Sequence, residues 1–133
     1  MMNVEATVET YDLSATYLHL GVTEQATPLP VGPDFWANMP PILSSGRMVS
    51  LFKHDADWGV WERHPVGDEI IIQLTGRMRL RLELPNGEIA VDLPAGRCVI
   101  VPRNIWHTAD ISAASSAIFI TEGHGTENRP RSA

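Results

Sequence analysis

The sequence predicts an all-β protein, a sandwich or barrel assembled from many short strands. Short runs rich in β-branched and aromatic residues recur along the chain, turn residues separate them at regular intervals, and helical periodicity is hard to find anywhere. The predicted strands are residues 15–20, 46–54, 59–64, 69–75, 77–84, 88–93, 97–101, 106–111 and 116–121.

Length and composition describe one acidic domain. The chain has 133 residues, 44% of them hydrophobic, and a formal net charge of −6. This length suffices for a single domain with its own core. Because an acidic surface repels phosphate backbones and anionic lipids, we expect neither nucleic acid nor a membrane as a partner. No apolar run approaches the roughly 20 residues that a membrane helix needs.

The N-terminal residues and the cysteine content favour a cytoplasmic protein. Residues 1–10 contain neither a basic segment nor an apolar run, so no signal peptide is expected. Cys98 is the single cysteine and cannot form an internal disulfide. Because it stands in the apolar run 98–101, we predict a buried and unreactive thiol. A cytoplasmic location is the default that follows.

Two segments lie outside the predicted barrel strands. Residues 27–41 hold five prolines together with Phe35 and Trp36, and proline at this density predicts an ordered loop without regular structure, held by its aromatic side chains. The polar tail 123–133 is expected to be flexible. We therefore expect a single domain over residues 1–133, with the barrel at about 45–122, an N-terminal strand and proline-rich arm at 11–44, and the flexible tail at 123–133.

A first hairpin is predicted at Pro85-Asn86-Gly87, which lies between two alternating runs. Asn-Gly favours a two-residue hairpin turn because both positions tolerate a positive φ. With that pair at the turn centre, Leu82 faces Val91 and Leu80 faces Leu93. One face of the hairpin is then apolar throughout.

A second hairpin is predicted just before it, with its turn at Thr75-Gly76. That turn pairs Gln73 with Met78 and Glu69 with Leu82, which puts Glu69 and Gln73 on the same face as the buried leucines. A carboxylate on the interior face costs several kcal/mol unless it is paired or binds a cation. Glu69 is therefore a candidate functional residue.

Four polar residues could meet at one point of such a barrel. Glu62 and His64 are two residues apart and project to the same side of a strand. A tight turn leads from His64 to Glu69, and His107 must be delivered by the fold. Imidazole and carboxylate together suit Fe, Mn, Zn, Ni or Cu. A buried salt-bridged network without a metal is the alternative.

The spacing of these residues resembles the two motifs of the cupin family. His64-x4-Glu69-x6-Gly76 is similar to the second half of the first cupin motif. The second motif is matched by Gly96-x5-Pro102-x-Asn104-x2-His107, with Asn104 where glycine is usual. The resemblance covers about residues 47–121 and implies a double-stranded β-helix, or jelly-roll, barrel that is usually dimeric.

The resemblance also implies a metal site. Carried over residue by residue, it assigns ligand positions to His64, Glu69 and His107. Glu62 stands where the family has its first histidine, and it is either a fourth ligand, a nearby base or a sign that metal binding has been lost. The implied cofactor is a divalent transition metal, Fe, Mn, Zn or Ni. Ile111 departs from the asparagine that ends the second motif.

The expected function is chemistry on a small organic molecule inside a metal-binding cupin barrel. The family implies dioxygenase, isomerase, epimerase or decarboxylase-like reactions, in a protein expected to form a homodimer. Trp58 and Gln73 are the predicted substrate-pocket residues. Trp58 is an even number of residues from Glu62 and His64 and should project to the same side of the strand. Gln73 is a polar side chain that faces inward and therefore needs a partner or a ligand. The alternative is a non-catalytic module that binds or senses a small ligand. Three histidines have no second metal-ligating residue at a motif spacing, and they are predicted to be structural or surface residues: His19, His54 and His124.

Overall fold

The computed structural model describes residues 8–132, which form an all-β fold, as predicted. The described residues form nine strands: β1 (Thr16–Leu20), β2 (Ala26–Pro30), β3 (Arg47–His54), β4 (Val60–Arg63), β5 (Glu69–Leu84), β6 (Gly87–Pro94), β7 (Cys98–Val101), β8 (His107–Thr121) and β9 (Glu127–Pro130). All pairings between them are antiparallel. The sheet order is β2-β1-β3-β8-β4-β9, and β5 pairs with β6, β7 and β8.

Strand β5 runs without interruption through the position where the sequence predicted a hairpin at Thr75-Gly76. The ladder between β5 and β8 shifts register three times between Gln73 and Met78. Gly76 lies within this irregular stretch with φ +72°. The predicted pairing of Gln73 with Met78 was therefore wrong. The register shifts exchange the two faces of the strand, which is why side chains of opposite parity both point inward.

The interior face of β5 is nevertheless the predicted one. Glu69 and Gln73 are 2% and 0% exposed in the first half of the strand, and Met78, Leu80 and Leu82 are at most 3% exposed in the second half. The core around them is formed by these buried hydrophobic residues: Ile71, Met78, Leu80, Leu82, Leu93, Val101, Ala109, Ala117 and Phe119.

The hairpin between β5 and β6 exists, but its turn lies one residue earlier than predicted. Leu84 pairs with Gly87, so Pro85 and Asn86 form the turn. Leu80 consequently faces Val91 instead of Leu93. The register is displaced by two residues, so each side chain stays on the face that was predicted for it.

The proline-rich arm contains regular structure that the sequence did not predict. Strand β2 pairs along its whole length with β1, and a short 3₁₀ turn covers Pro41–Ser44. Edge strands tolerate proline because one row of N–H groups has no strand partner. The aromatic anchoring is as expected for Phe35, which is 7% exposed and packs against Tyr17 with ring centroids 5.4 Å apart.

The tail 123–133 was expected to be flexible, yet it contains strand β9. Residues Glu127–Pro130 pair with β4. The Arg129 guanidinium lies 5.3 Å from the ring centroid of Trp61 and 4.5 Å from that of Trp106. These cation-π contacts, together with an ion pair to Glu83, hold the tail against the barrel. Arg129 is far from both tryptophans in the sequence, so no local pattern could have predicted these contacts.

Cys98 is exposed, whereas the sequence predicted a buried thiol. Ile100, two residues along the same strand β7, is 63% exposed, so the face of β7 that carries both side chains has no covering layer. The prediction for residues 1–10 falls largely outside the described part of the chain. No helix among residues 8–132 is long and apolar enough to cross a membrane.

Candidate metal centre

Two backbone contacts bring the separate motif segments together. Glu62 on β4 pairs with His107 at the start of β8. The backbone N–H of Asn104 donates to the His64 carbonyl at 2.8 Å. Asn104 has φ +63°, a conformation that asparagine and glycine tolerate better than other residues, which explains asparagine at a position where the motif has glycine.

The four predicted residues form one cluster. Glu62, His64, Glu69 and His107 each offer a ligand atom, and these atoms all lie within 4.8 Å of one another. Nε2 of His64 lies 3.3 Å from a Glu62 oxygen and 3.2 Å from Glu69 Oε2. Nε2 of His107 lies 3.1 Å from Glu69 Oε1 and 3.8 Å from Glu62. Glu69 therefore bridges both imidazoles.

Hydrogen bonds on the far side of each ring determine which imidazole nitrogen faces the cluster. Nδ1 of His107 donates to the Ile105 carbonyl at 3.0 Å, because a carbonyl can only accept. The Thr126 hydroxyl donates to the Gly123 carbonyl at 2.8 Å, and it accepts from Nδ1 of His64 at 2.8 Å. With Nδ1 protonated, a neutral imidazole presents the lone pair of Nε2. Both histidines thus aim Nε2 at the two carboxylates.

This arrangement requires a positive charge at its centre. Three of the four side chains are at most 6% exposed, and Glu62 is 25% exposed. Without a cation, two lone pairs of nitrogen would face two carboxylates in a desolvated space. Burial lowers the pKa of His64, but the hydrogen bonds to Glu62 and Glu69 outweigh burial and raise the pKa to about 10. Burial raises the pKa of Glu69, but the contacts with His107 and His64 outweigh burial and hold the pKa below its ordinary value.

The donor set fits a divalent transition metal. Nε2 of His64 is buried and lies within 3.3 Å of both carboxylates, yet no contact to it among the described residues has the angles of a hydrogen bond. Two neutral imidazoles and two carboxylates carry a combined charge of −2, which a divalent ion neutralises. Mixed nitrogen and oxygen ligands suit iron, manganese, zinc or nickel. The Thr121 hydroxyl donates to Glu69 Oε2 at 2.5 Å and orients Glu69 in the way that outer hydrogen bonds orient metal ligands.

A cavity of about 810 Å³ opens onto the cluster. Glu62, His64, Glu69 and Trp58 line it. The substrate contact expected of Trp58 stays a prediction. Gln73 does not line the cavity, although the sequence predicted that it would. Its side chain is fully buried and donates to the Thr75 carbonyl at 2.7 Å, beside the irregular stretch of β5.

Sequence reasoning missed several residues of the cavity. His19, His54 and His124 were expected to be structural or superficial, and all three line it. Nε2 of His19 donates to the Ser45 carbonyl, 2.6 Å away. The strand parity that His54 shares with Phe52 was the one available signal, because residues two apart on a strand share a face.

Comparisons with known proteins identify the fold. No family model and no curated protein matches the chain. Vicilin from hazelnut, Corylus avellana, is 17% identical with a TM-score of 0.53, over 64% of this chain and 26% of the vicilin chain. A cupin superfamily protein from Desulfitobacterium hafniense is 21% identical with a TM-score of 0.49, over 56% of this chain and 65% of that one. A hydroquinone 1,2-dioxygenase in complex with Cd²⁺ and 4-hydroxybenzonitrile is 18% identical with a TM-score of 0.49, over 56% of each chain.

The chain therefore has the double-stranded β-helix barrel of the cupins. The predicted barrel is thereby confirmed at the level of fold. Identities of this size identify the fold alone, because one barrel carries many different chemistries.

Proposed function

We propose that this protein is a metal-binding cupin that acts on a small organic molecule in its barrel cavity. Glu62, His64, Glu69 and His107 hold the metal. The observation that carries the proposal is the orientation of both histidines, whose Nδ1 atoms are held by oxygen acceptors while Nε2 faces two carboxylates at 3.1–3.8 Å. In a metal-free ion-pair network, imidazolium rings would make the same contacts, so the metal content of the protein is the measurement that separates the two arrangements.

The proposed metal is iron, manganese, zinc or nickel. When bound, such an ion supplies a Lewis acid that polarises an oxygen atom of the substrate. Glu62 is the most exposed of the four residues and lines the cavity. It is therefore placed both to complete the ligand set and to accept a proton from a substrate. Dioxygenase, isomerase, epimerase and decarboxylase-like reactions are the classes that such a site would serve.

Elemental analysis of the purified protein tests the metal site. We expect about one equivalent of a first-row transition metal in the wild-type protein and none in the His64→Ala, His107→Ala double variant. His124→Ala is the matched control, because His124 lines the same cavity outside the cluster. A double variant that retains the metal of the wild-type protein would sink the proposal, provided that circular dichroism shows both proteins folded.

A homodimer and a cytoplasmic location complete the proposal. Both rest on the family resemblance and on the acidic chain with its single cysteine. The proposed domain spans the whole chain, and Pro28–Pro41 within the arm 11–44 is its candidate dimer contact or lid. Trp36 and Met39 on that arm are half exposed. Light scattering on the wild-type protein and on a variant without residues 27–41 would measure whether the dimer forms and whether the arm is needed.

A further inference from the structure

The wall of the cavity is aromatic from its opening to the metal centre. Trp36 lines the cavity at 52% exposure and stacks with Phe52, with ring centroids 6.4 Å apart and planes at 29°. Phe52 lies 5.5 Å from Phe119, and Phe119 lies 5.9 Å from Trp58. Trp58 in turn lies 6.1 Å from the imidazole of His107. An unbroken series of rings therefore leads to the cluster.

The same wall offers little positive charge. Among the described residues that line the cavity, Arg47 is the one arginine or lysine, and it is exposed. His54 stands in the wall between Phe52 and Trp58, 6.1 Å and 5.6 Å away between ring centroids. Burial lowers the pKa of His54, so its imidazole is neutral at pH 7. The two carboxylates of the centre already balance the charge of a divalent ion, so a phosphate ester or a polycarboxylate would find no further buried cation in the wall.

We infer that the ligand of this cavity is a flat aromatic hydroxy compound, a phenol in the broad sense, whose ring lies along the wall and whose oxygen faces the metal centre. The inference rests on the proposed function and adds to it the class of substrate. Rings that stack on aromatic side chains gain contacts that saturated molecules of the same size lack. A volume of about 810 Å³ accommodates such a ring together with its substituents.

Three small molecules test separately whether the cavity selects an aromatic ring and whether it rejects negative charge. Phenol, cyclohexanol and phenyl phosphate are titrated into the zinc-loaded full-length protein, with zinc content measured in the same samples and binding followed by ligand-observed NMR. Zinc is chosen because it has no redox chemistry. Phenol and cyclohexanol share one hydroxyl and differ in the aromatic ring, whereas phenyl phosphate keeps the ring and adds charge. We expect phenol to bind about tenfold more tightly than cyclohexanol, and phenyl phosphate to bind more weakly than phenol.

Variants of the wall locate the binding. Trp36→Leu and Trp58→Leu should each weaken phenol binding roughly three- to tenfold at unchanged zinc content. The two positions are independent, so the exposed Trp36 serves if Trp58→Leu does not fold. Trp106→Leu is the control, because its ring packs under Arg63 and Arg129 and does not line the cavity.

The outcomes distinguish this inference from the proposed function. Equal affinity for phenol and cyclohexanol, or phenol binding that neither wall variant weakens, overturns the aromatic class while bound zinc leaves the metal site standing. Tighter binding of phenyl phosphate than of phenol also overturns it. A protein that holds no zinc refutes the proposed function, and the preference for phenol over cyclohexanol in the metal-free protein then still decides whether the wall selects an aromatic ring.

Discussion

The Thr126 hydroxyl accepts a hydrogen bond from Nδ1 of His64 at 2.8 Å, across 62 residues of sequence. Thr126 immediately precedes strand β9, so the C-terminal tail supplies an outer contact of the candidate metal centre. Its own proton is engaged by the Gly123 carbonyl at 2.8 Å, which leaves the threonine oxygen free to accept. The tail therefore takes part in setting the orientation of a ligand imidazole.

Replacing Thr126 by valine should weaken metal binding without unfolding the barrel. Valine keeps the shape of threonine and removes the acceptor, so His64 loses the contact that fixes its ring. Outer contacts of this kind change metal affinity about 10- to 100-fold. A competition titration with a metal indicator would measure the change. Thr126→Ser should restore most of the affinity because the hydroxyl is retained, and equal affinities for the valine variant and the wild type would contradict this role.

Glu62 and Glu69 should contribute unequally to the metal site. Glu62→Gln removes a charge from the most exposed ligand position and should lower affinity about tenfold. Glu69→Gln changes the buried carboxylate that contacts both histidines and should abolish stoichiometric binding. Metal analysis and titration of the two variants side by side test this order. If Glu62→Gln loses the metal and Glu69→Gln retains it, the assignment of Glu69 as the central ligand is wrong.

The thermal stability of the metal-free protein should fall at both ends of the pH scale. The pKa of His64 is raised from 6.5 to about 10, so its contribution to stability is complete below pH 6.5 and disappears as the pH rises towards 10. The pKa of Glu69 is lowered from 4.5, so its contribution is complete above pH 4.5 and disappears as the pH falls. We therefore expect the highest melting temperature between about pH 4.5 and 6.5.

Calorimetry on the protein after chelation and dialysis measures this profile. His64→Gln is the control, because it should remove the decline between pH 6.5 and 10 that His64 causes. A wild-type melting temperature that stays constant through that interval would show that the metal-free cluster does not hold a proton on His64.

Gly76, the one glycine of strand β5, should not tolerate a side chain. Its φ of +72° is unfavourable for other residues, and a Cβ atom built there would lie 2.1 Å from the Ala114 carbonyl oxygen. We expect Gly76→Ala to destabilise the protein by at least about 2 kcal/mol in urea unfolding, because strain and overlap add. Gly32→Ala is the matched control, since a Cβ there meets no atom within 4 Å. Similar unfolding midpoints for the two variants would show that β5 relaxes around the added methyl group.

Local patterns in the sequence were enough to find most strands. Alternation of apolar and polar residues reports which face of a strand is buried, and that information is carried by neighbours in the chain. It identified Glu69 as an inward carboxylate even though the assumed hairpin at Thr75-Gly76 does not exist. A hairpin and a bulged strand both exchange the faces, so the pattern alone could not tell them apart.

Contacts between distant segments were not predictable in the same way. Cys98 was predicted to be buried from its apolar neighbours, but exposure depends on whether a further layer covers the edge strand. The tail was predicted to be flexible from its polar composition, but Arg129 is held by Trp61 of strand β4 and by Trp106, which precedes β8. Gln73 faces inward as predicted, yet the interior at its position is packed core instead of cavity.

The sequence by itself determined the all-β class, the inward direction of the key side chains and, through its two spaced motifs, the four residues of the candidate centre. These properties follow from strand periodicity and motif spacing, which are local. Tertiary structure alone decided the strand registers, the aromatic wall, the place of His54 in it and the contact between Thr126 and His64. Each of these depends on two or more segments packing together, and their relative positions are set by the free energy of the whole fold.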